Sequence, residues 1–565
     1  MKVEAANFIF DKITEPTKVQ QRALDLLGVS LSSNKNSGGV MQFSHTQNLL
    51  EYIVIGSGPA GLQMGYYLEQ QQLSYLILEA NEKPSSFFES FPRHRKLISI
   101  NKVYTGYTNP EVNLRWDWNS LLSHNQGLLL KNYSERYFPY ADDLVKYLAD
   151  FATSFKLKIK YGVKVTKVSK RDNIFQVVDS EGNIYICRYL IIATGLFKPY
   201  TPPIPGIENA ENYVDVSIQP EDFKNQQVLI LGKGNSAFET ADNLVETAAK
   251  IHVASPNPLK MAWQTHYVGH LRAVNNNILD TYHLKSQNAI LDATILDIKR
   301  QNDKFIVTVK YSHACNEVEQ LTYDRVIVCT GFKFDASIFD ETCQPKLAIN
   351  ERFPQQTSEW ESSNVKDMYF IGTLMQMRDY KKHMSGFIHG FRYNIHALSK
   401  ILAHKYHQEK LPYQEIDISP ENLTDYIIQR INISSALWQQ PGFLCDAIAL
   451  NKNEQSARYY QDLPVNYVQE RMMDSADEYL LITLEYGAEK AVDPFNIERI
   501  ARTDKERAEL SQFLHPIIRH YRNSQLLQEH HIIEDLIGEW LEEEHIMPLL
   551  QFCKQQLNSF NPQLV

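Results

Sequence analysis

Two glycine-rich turns, each directly after a short apolar run, restrict this chain more than any other feature. The first is Gly56-Ser57-Gly58-Pro59-Ala60-Gly61, after Tyr52-Ile53-Val54-Ile55. The second is Gly232-Lys233-Gly234-Asn235-Ser236-Ala237, after Val228-Leu229-Ile230-Leu231. A strand, a Gly-x-Gly-x-x-Gly turn and a helix open a βαβ unit that holds a dinucleotide. The glycines let the backbone approach the pyrophosphate, and free N–H groups at the helix start meet its charge. The alternative for either turn alone is a tight strand–helix connection without a ligand. Two in one chain imply a flavin dinucleotide, FAD, and the nicotinamide dinucleotide that reduces it. The expected class is α/β, with two Rossmann-like dinucleotide-binding domains.

The flanking residues refine this. Pro59 suits the first turn of a helix over 59–71. The strand Tyr75–Leu78 leads to Glu79, a carboxylate placed for an unphosphorylated ribose. Gly56, Gly58, Pro59, Ala60, Gly61 and Glu79 are therefore candidate FAD contacts. In the second unit Gly232, Gly234, Asn235 and Ser236 are the corresponding candidates, with Ala237 in the third glycine's place. The strand Ile251–Ala254 runs into Ser255 with no acid, and Lys233 and Lys260 offer positive charge. That combination favours NADPH over NADH.

The expected organisation has four parts: a leader over 1–48 with a flexible stretch over 30–39, an FAD-binding domain over 49–218 and 336–405, an NAD(P)H-binding domain over 219–335, and a mainly helical domain over 406–565. The last shows no nucleotide or metal signature. A net charge of -10 argues against nucleic acid and anionic membrane partners. None of the six cysteines forms a Cys-x-x-Cys pair, so a redox dithiol is unsupported and a reducing, cytoplasmic setting is expected. No secretory signal is read at 1–14, no run approaches the ~20 apolar residues of a membrane helix, and homo-oligomerisation is left open.

Together the loops resemble those of the two-dinucleotide flavoproteins. Ala193-Thr194-Gly195, Cys329-Thr330-Gly331 and Phe370-Ile371-Gly372 resemble the junctions at which that class crosses between its domains. The resemblance adds Thr194, Gly195, Thr330, Gly331 and Gly372 to the cofactor candidates. Phe387 joins them as the start of a helix over 387–404 whose dipole would stabilise negative charge on reduced flavin. The intervening sequence is more similar to flavin-containing monooxygenases than to disulfide reductases. Longer strings, among them Pro92-Arg93-His94-Arg95-Lys96-Leu97-Ile98-Ser99-Ile100-Asn101, Thr265-His266-Tyr267-Val268-Gly269 and Gly386-Phe387-Ile388-His389-Gly390-Phe391-Arg392-Tyr393, resemble the FAD-dependent oxidoreductase domain-containing family. That likeness covers nearly everything after residue 50. Its known member is a lumenal flavoprotein of the endoplasmic reticulum; this chain, without a signal or retention tail, reads as a cytoplasmic relative.

The resemblance implies an NADPH-consuming, FAD-dependent monooxygenase. A flavin C4a-hydroperoxide formed with O2 would oxygenate a soft nucleophile, nitrogen or sulfur, of a small-molecule substrate. Asn101 would hydrogen-bond that peroxide as the catalytic residue; its plainer reading is a turn cap. Two departures stand out. Tyr213 occupies the place of a fingerprint histidine, and Gly372-Thr373 replaces the usual Gly-Asp near the flavin. Candidate pocket residues are Trp263, His266, Tyr267, Arg272, Asp379 and His389, each of which has a packing role as its alternative. No metal-ligand spacing is found. The rival functions are a reductase passing electrons to a partner protein and a flavin-stabilised scaffold.

Overall fold

The structure, a computed structural model, describes residues 49–284, 287–451, 456–472, 478–487 and 495–560. The expected leader lies outside the described residues.

The first sheet grows from β1 (Leu50–Ile55), whose last four residues are buried. Burial on both faces explains the unbroken apolar run. The helix α1 (Pro59–Gln70) returns the chain to β2 (Tyr75–Leu78), parallel to β1. After α2 (Ala141–Ser154) the strands β3 (Ile159–Lys160), β4 (Val165–Arg171), β5 (Ile174–Asp179) and β6 (Ile184–Ile192) complete the order β3-β2-β1-β6-β5-β4. β6 serves two neighbours on one side. Its first half pairs with β5, and its second half, Leu190–Ile192, pairs in parallel with the returning strand Met368–Phe370.

A two-stranded ribbon, β7 (Lys198–Pro199) with β15 (Phe332–Lys333), ties the two crossovers to the second sheet. That sheet repeats the plan with β8 (Glu211–Asn212), β9 (Gln227–Leu231), β10 (Lys250–Ser255), β11 (Ala289–Gln301), β12 (Lys304–Tyr311), β13 (Val318–Tyr323) and β14 (Arg325–Val328). Its order is β13-β12-β11-β10-β9-β14-β8. The helix α3 (Asn235–Leu244) links β9 to β10. A longer helix, α4 (Ile388–His407), packs on α1 and against the segment Gly372–Asp379.

The region after 406 corrects the expectation of a mainly helical domain. It is built on a six-stranded antiparallel sheet in the order Gln414–Asp417, Ser456–Pro464, Leu444–Asn451, Glu478–Glu485, His515–Arg522, Gln525–His531. The helices α5 (Pro420–Ile433) and α6 (Glu543–Phe560) contribute Leu423, Ile427, Leu549 and Phe552 to the core against one face. Cys445, Ala447, Val468 and Leu481 form a second cluster. With both faces covered, a strand such as Glu478–Glu485 is buried at seven successive positions, so it carries no alternation by which to recognise it.

Candidate cofactor cradles and the space between them

The chain leaves β1 through Gly56 at φ 104°, a region open to glycine. A Cβ there would lie 2.7 Å from the Ala193 carbonyl oxygen, because the crossover Ala193-Thr194-Gly195 passes directly beneath. A Cβ on Gly61 would lie 2.0 Å from the Gly56 oxygen, so the third glycine is fixed by helix–loop packing. Gly58 differs: no protein atom lies within 4 Å of where its Cβ would stand. It caps α1, Pro59 takes the first turn, and no side chain caps the helix. Open space before uncapped N–H groups is what a pyrophosphate requires, and the residues fit FAD. Glu79 is 5% exposed and turns into this loop. One oxygen accepts from Ser57 N and Ser57 Oγ, both at 2.8 Å, and the other from Asn81 N at 3.0 Å. A Cβ on Gly372 would meet Ala60 Cβ at 2.6 Å, which puts that junction against the first turn of α1. Phe387 stands at the N-cap of α4, also without a capping side chain.

The second cradle repeats this geometry. A Cβ on Gly232 would lie 2.2 Å from the Cys329 oxygen, Gly234 faces open space, and α3 has no side-chain cap. Ser236 and Gly331 line a cleft with Tyr200, Tyr213 and Phe332. Thr330 Oγ1 donates to the Tyr200 carbonyl, joining this crossover to the ribbon. Asn235 Oδ1 accepts from Arg272 N at 3.0 Å. These residues fit a second dinucleotide. Lys233, in contrast, is not a free cation for a 2′-phosphate. Its side chain is 5% exposed, its ammonium pairs with Asp292, and it donates to the carbonyls of Ser255 at 3.3 Å and Asn257 at 3.1 Å. The reason is topological: Asp292 on β11 lies opposite Ser255 on β10, within reach of the loop.

Between the cradles four of the six predicted pocket residues lie at or beside one aromatic cluster. Arg272 stands over the Trp118 ring at 5.0 Å, and Trp118 stacks on His389 at 4.4 Å. His389 also stacks on Phe387 at 5.9 Å, and Phe387 meets Tyr267 edge-on. The Tyr267 hydroxyl bonds to Gln376 of the FAD side. Burial and the neighbouring guanidiniums of Arg392 and Arg272 hold the His389 imidazole well below its usual value, so it is neutral. Asp379 Oδ2 accepts from Ser385 N at 3.0 Å, while its Oδ1 is buried without a partner. Burial pushes this carboxyl up to about 7.

Trp263 and His266 point elsewhere. Trp263 packs on Phe495 at 5.0 Å and His266 on Tyr486 at 4.0 Å, so both seat the second nucleotide domain on the C-terminal one. Asn101 is 1% exposed and its amide nitrogen donates to the Ser134 oxygen at 2.7 Å and the Arg136 oxygen at 3.4 Å. Its N–H groups thus brace a loop, leaving Oδ1 for any ligand. Tyr213 donates to Glu239, a carboxyl pushed up to about 7 by burial. Trp118, Gln376, Asp292 and Ser57 are not among the sequence candidates, although Ser57 sits inside the first turn and Trp118 lies in a string, residues 116–124, that is similar to the family. Among the described residues no His, Cys, Asp and Glu group is arranged to hold a metal, and no helix is long and apolar enough to cross a membrane.

Known proteins share this plan. The family model for pyridine nucleotide-disulphide oxidoreductase matches residues 53–372. FAD-dependent oxidoreductase domain-containing protein 2 of Mus musculus is 37% identical over 90% of this chain and 84% of its own length. Its Danio rerio counterpart is 38% identical over 95% of this chain and 86% of its own. Ferredoxin–NADP reductase 1 of Lysinibacillus sphaericus is 24% identical over 64% of this chain and 91% of its own. The two cradles, their crossovers and these matches place the chain in the pyridine nucleotide-disulphide oxidoreductase family, among the FAD-dependent oxidoreductase domain-containing proteins.

Proposed function

We propose that this flavoprotein oxidoreductase is an NADPH-consuming monooxygenase that delivers one oxygen atom to a nitrogen or sulfur of a small molecule. FAD, when bound, supplies the redox chemistry. The balance is NADPH, a proton, O2 and substrate in; NADP+, water and oxygenated substrate out. Family membership and the names of the relatives support FAD and NADP as the cofactors.

One observation carries the oxygenase reading: Trp118, neutral His389, Phe387 and Tyr267 pack into one aromatic cluster between the cradles, and no cysteine pair stands there to carry electrons away. All six cysteines are free and five are buried; burial raises the Cys343 thiol to about 11 and the Cys553 thiol to about 12. Such a cluster excludes water from what lies against it. The test is direct. The purified yellow protein is supplied with NADPH, air and panels of amines, amino acids and thiols, and products are weighed by mass spectrometry. A product heavier by one oxygen, formed in step with NADPH loss, is expected. Hydrogen peroxide alone with every compound overturns the reading, and NADPH loss that depends on an added electron-carrier protein replaces it with the reductase.

A further inference from the structure

Arg272 is a half-buried guanidinium that meets no acceptor among the described residues. Its backbone N–H is pinned to Asn235 at the start of α3, but its side chain turns away from the second cradle and lies over Trp118 on the FAD side. Among the described residues it makes no side-chain hydrogen bond and has no carboxylate within ion-pair distance. The more deeply buried guanidiniums are held by protein acceptors, although Arg392 Nε has none. Arg392 donates to the carbonyls of Ser120 at 2.7 Å and Leu114 at 2.9 Å. Arg115 donates to Ser434 and Ile431, and Arg430 pairs with Asp446 and Asp462. A half-buried guanidinium with no protein acceptor keeps its donors for water or for a ligand.

A second unfilled group sits in the same cluster. His389 is 2% exposed, its ring touches Trp118 on the face of the cluster, and its Nδ1 is buried without a partner. The pair offers a fixed planar fork and one neutral polar atom, framed by indole and phenyl rings. That combination suits a planar oxyanion attached to an apolar body.

We propose that Arg272 is the substrate's anion receptor, so that the compound oxidised at this site carries a carboxylate beside its nucleophilic nitrogen or sulfur. This rests on reading the cluster as the acceptor site. A phosphate of the nicotinamide dinucleotide is the other source of an oxyanion. The uncapped start of α3 and the open side of Gly234 already provide for that, and Arg272 presents them only its backbone.

Binding, not turnover, tests the assignment, so a failure here is separate from a failure of the oxygenase reading. The FAD-loaded protein is titrated with benzoate against benzamide, and with L-leucine against isopentylamine, by calorimetry and by the shift of the flavin spectrum. NADP+ is titrated in parallel. At least one carboxylate is expected to bind about tenfold or more tighter than its uncharged-end analogue. Arg272→Met should abolish that preference, Arg272→Lys should keep part of it, and NADP+ affinity should change less than about twofold in both. Equal binding within both pairs overturns the proposal, as does absence of binding by every probe in protein that still takes up NADP+. A parallel loss of NADP+ affinity in Arg272→Met assigns the guanidinium to the cofactor phosphate instead.

Discussion

The two nucleotide loops obey one glycine code but use the residue inside it in opposite ways. In the first, Ser57 sends two donors to Glu79, which stands at the end of the second strand and has no cation beside it among the described residues. In the second, Lys233 sends its ammonium to Asp292, which stands one strand further out, and cancels that charge. The glycines answer to the backbone: Gly56 and Gly232 are fixed by the crossover oxygens of Ala193 and Cys329. The residue inside each turn answers to a carboxylate on a neighbouring strand, Glu79 in one and Asp292 in the other. A shared turn therefore leaves its two neighbourhoods free to differ in charge.

The strongest way to break this comparison is to fill the open side of each cradle. Neither Gly58→Ala nor Gly234→Ala meets a protein atom, so both should fold, and the methyl intrudes only on a ligand. For Gly58→Ala, flavin content per purified chain is expected to fall about tenfold or more. For Gly234→Ala, flavin should remain while the NADPH concentration needed for half-maximal flavin reduction rises about tenfold or more. Normal flavin and normal reduction in both variants would make these turns structural only.

A somewhat smaller effect is expected from unbalancing the second loop. Lys233→Met leaves Asp292 with only the His313 ring beside it, at 3.3 Å, and NADPH affinity should weaken roughly tenfold. Asp292→Asn added to it should recover most of that loss, because the pair acts as a unit. If the double variant is as weak as the single one, Lys233 contacts the phosphate itself and the contrast between the loops fails.

The space between the loops predicts a pH dependence. Asp379 is buried, and burial lifts its carboxyl to about 7. The folded protein therefore holds a proton that the unfolded chain releases near the ordinary carboxylate value. The stability this contributes is full below about pH 4 and is lost as pH rises through 7. Asp379→Asn keeps a neutral group, so its stability relative to the parent should climb between pH 5 and 8, by on the order of 2 kcal/mol. Thermal unfolding of both proteins across that range measures it. A gap independent of pH would mean that the carboxyl stays ionised, held by the Ser385 backbone N–H at 3.0 Å.

How much of this was legible beforehand follows from the range of the interactions. Each cradle is written in about thirty consecutive residues, where strand, turn and helix announce themselves by apolar run, glycine spacing and Pro59. The C-terminal sheet is not legible, since its middle strands are buried on both faces and pair with strands far along the chain. The acceptor cluster is the same problem in side chains. Tyr267, Arg272, Asp379 and His389 stand out as polar residues near the right elements, but Trp118, which joins Arg272 to His389, comes from a loop between α1 and α2 whose likeness to the family gives it no role. Trp263 and His266 stand out for the same reason and face the C-terminal domain instead, where the segment that carries them turns at His266, φ 56°.

The smallest expected effect is also the sharpest probe of the comparison. Ser57→Ala removes one of two donors to the same Glu79 oxygen; the backbone N–H of residue 57 remains. A single charge-assisted bond in a buried site is worth about 1–2 kcal/mol, so FAD should dissociate roughly five- to thirtyfold faster, with NADPH affinity unchanged in the fraction that keeps flavin. Glu79→Gln should cost more, because it weakens every bond to that carboxyl at once. If Ser57→Ala has no effect while Glu79→Gln strips the flavin, the backbone alone orients the acid, and the contrast with Lys233 lies in charge cancellation and not in how each loop aims its carboxylate.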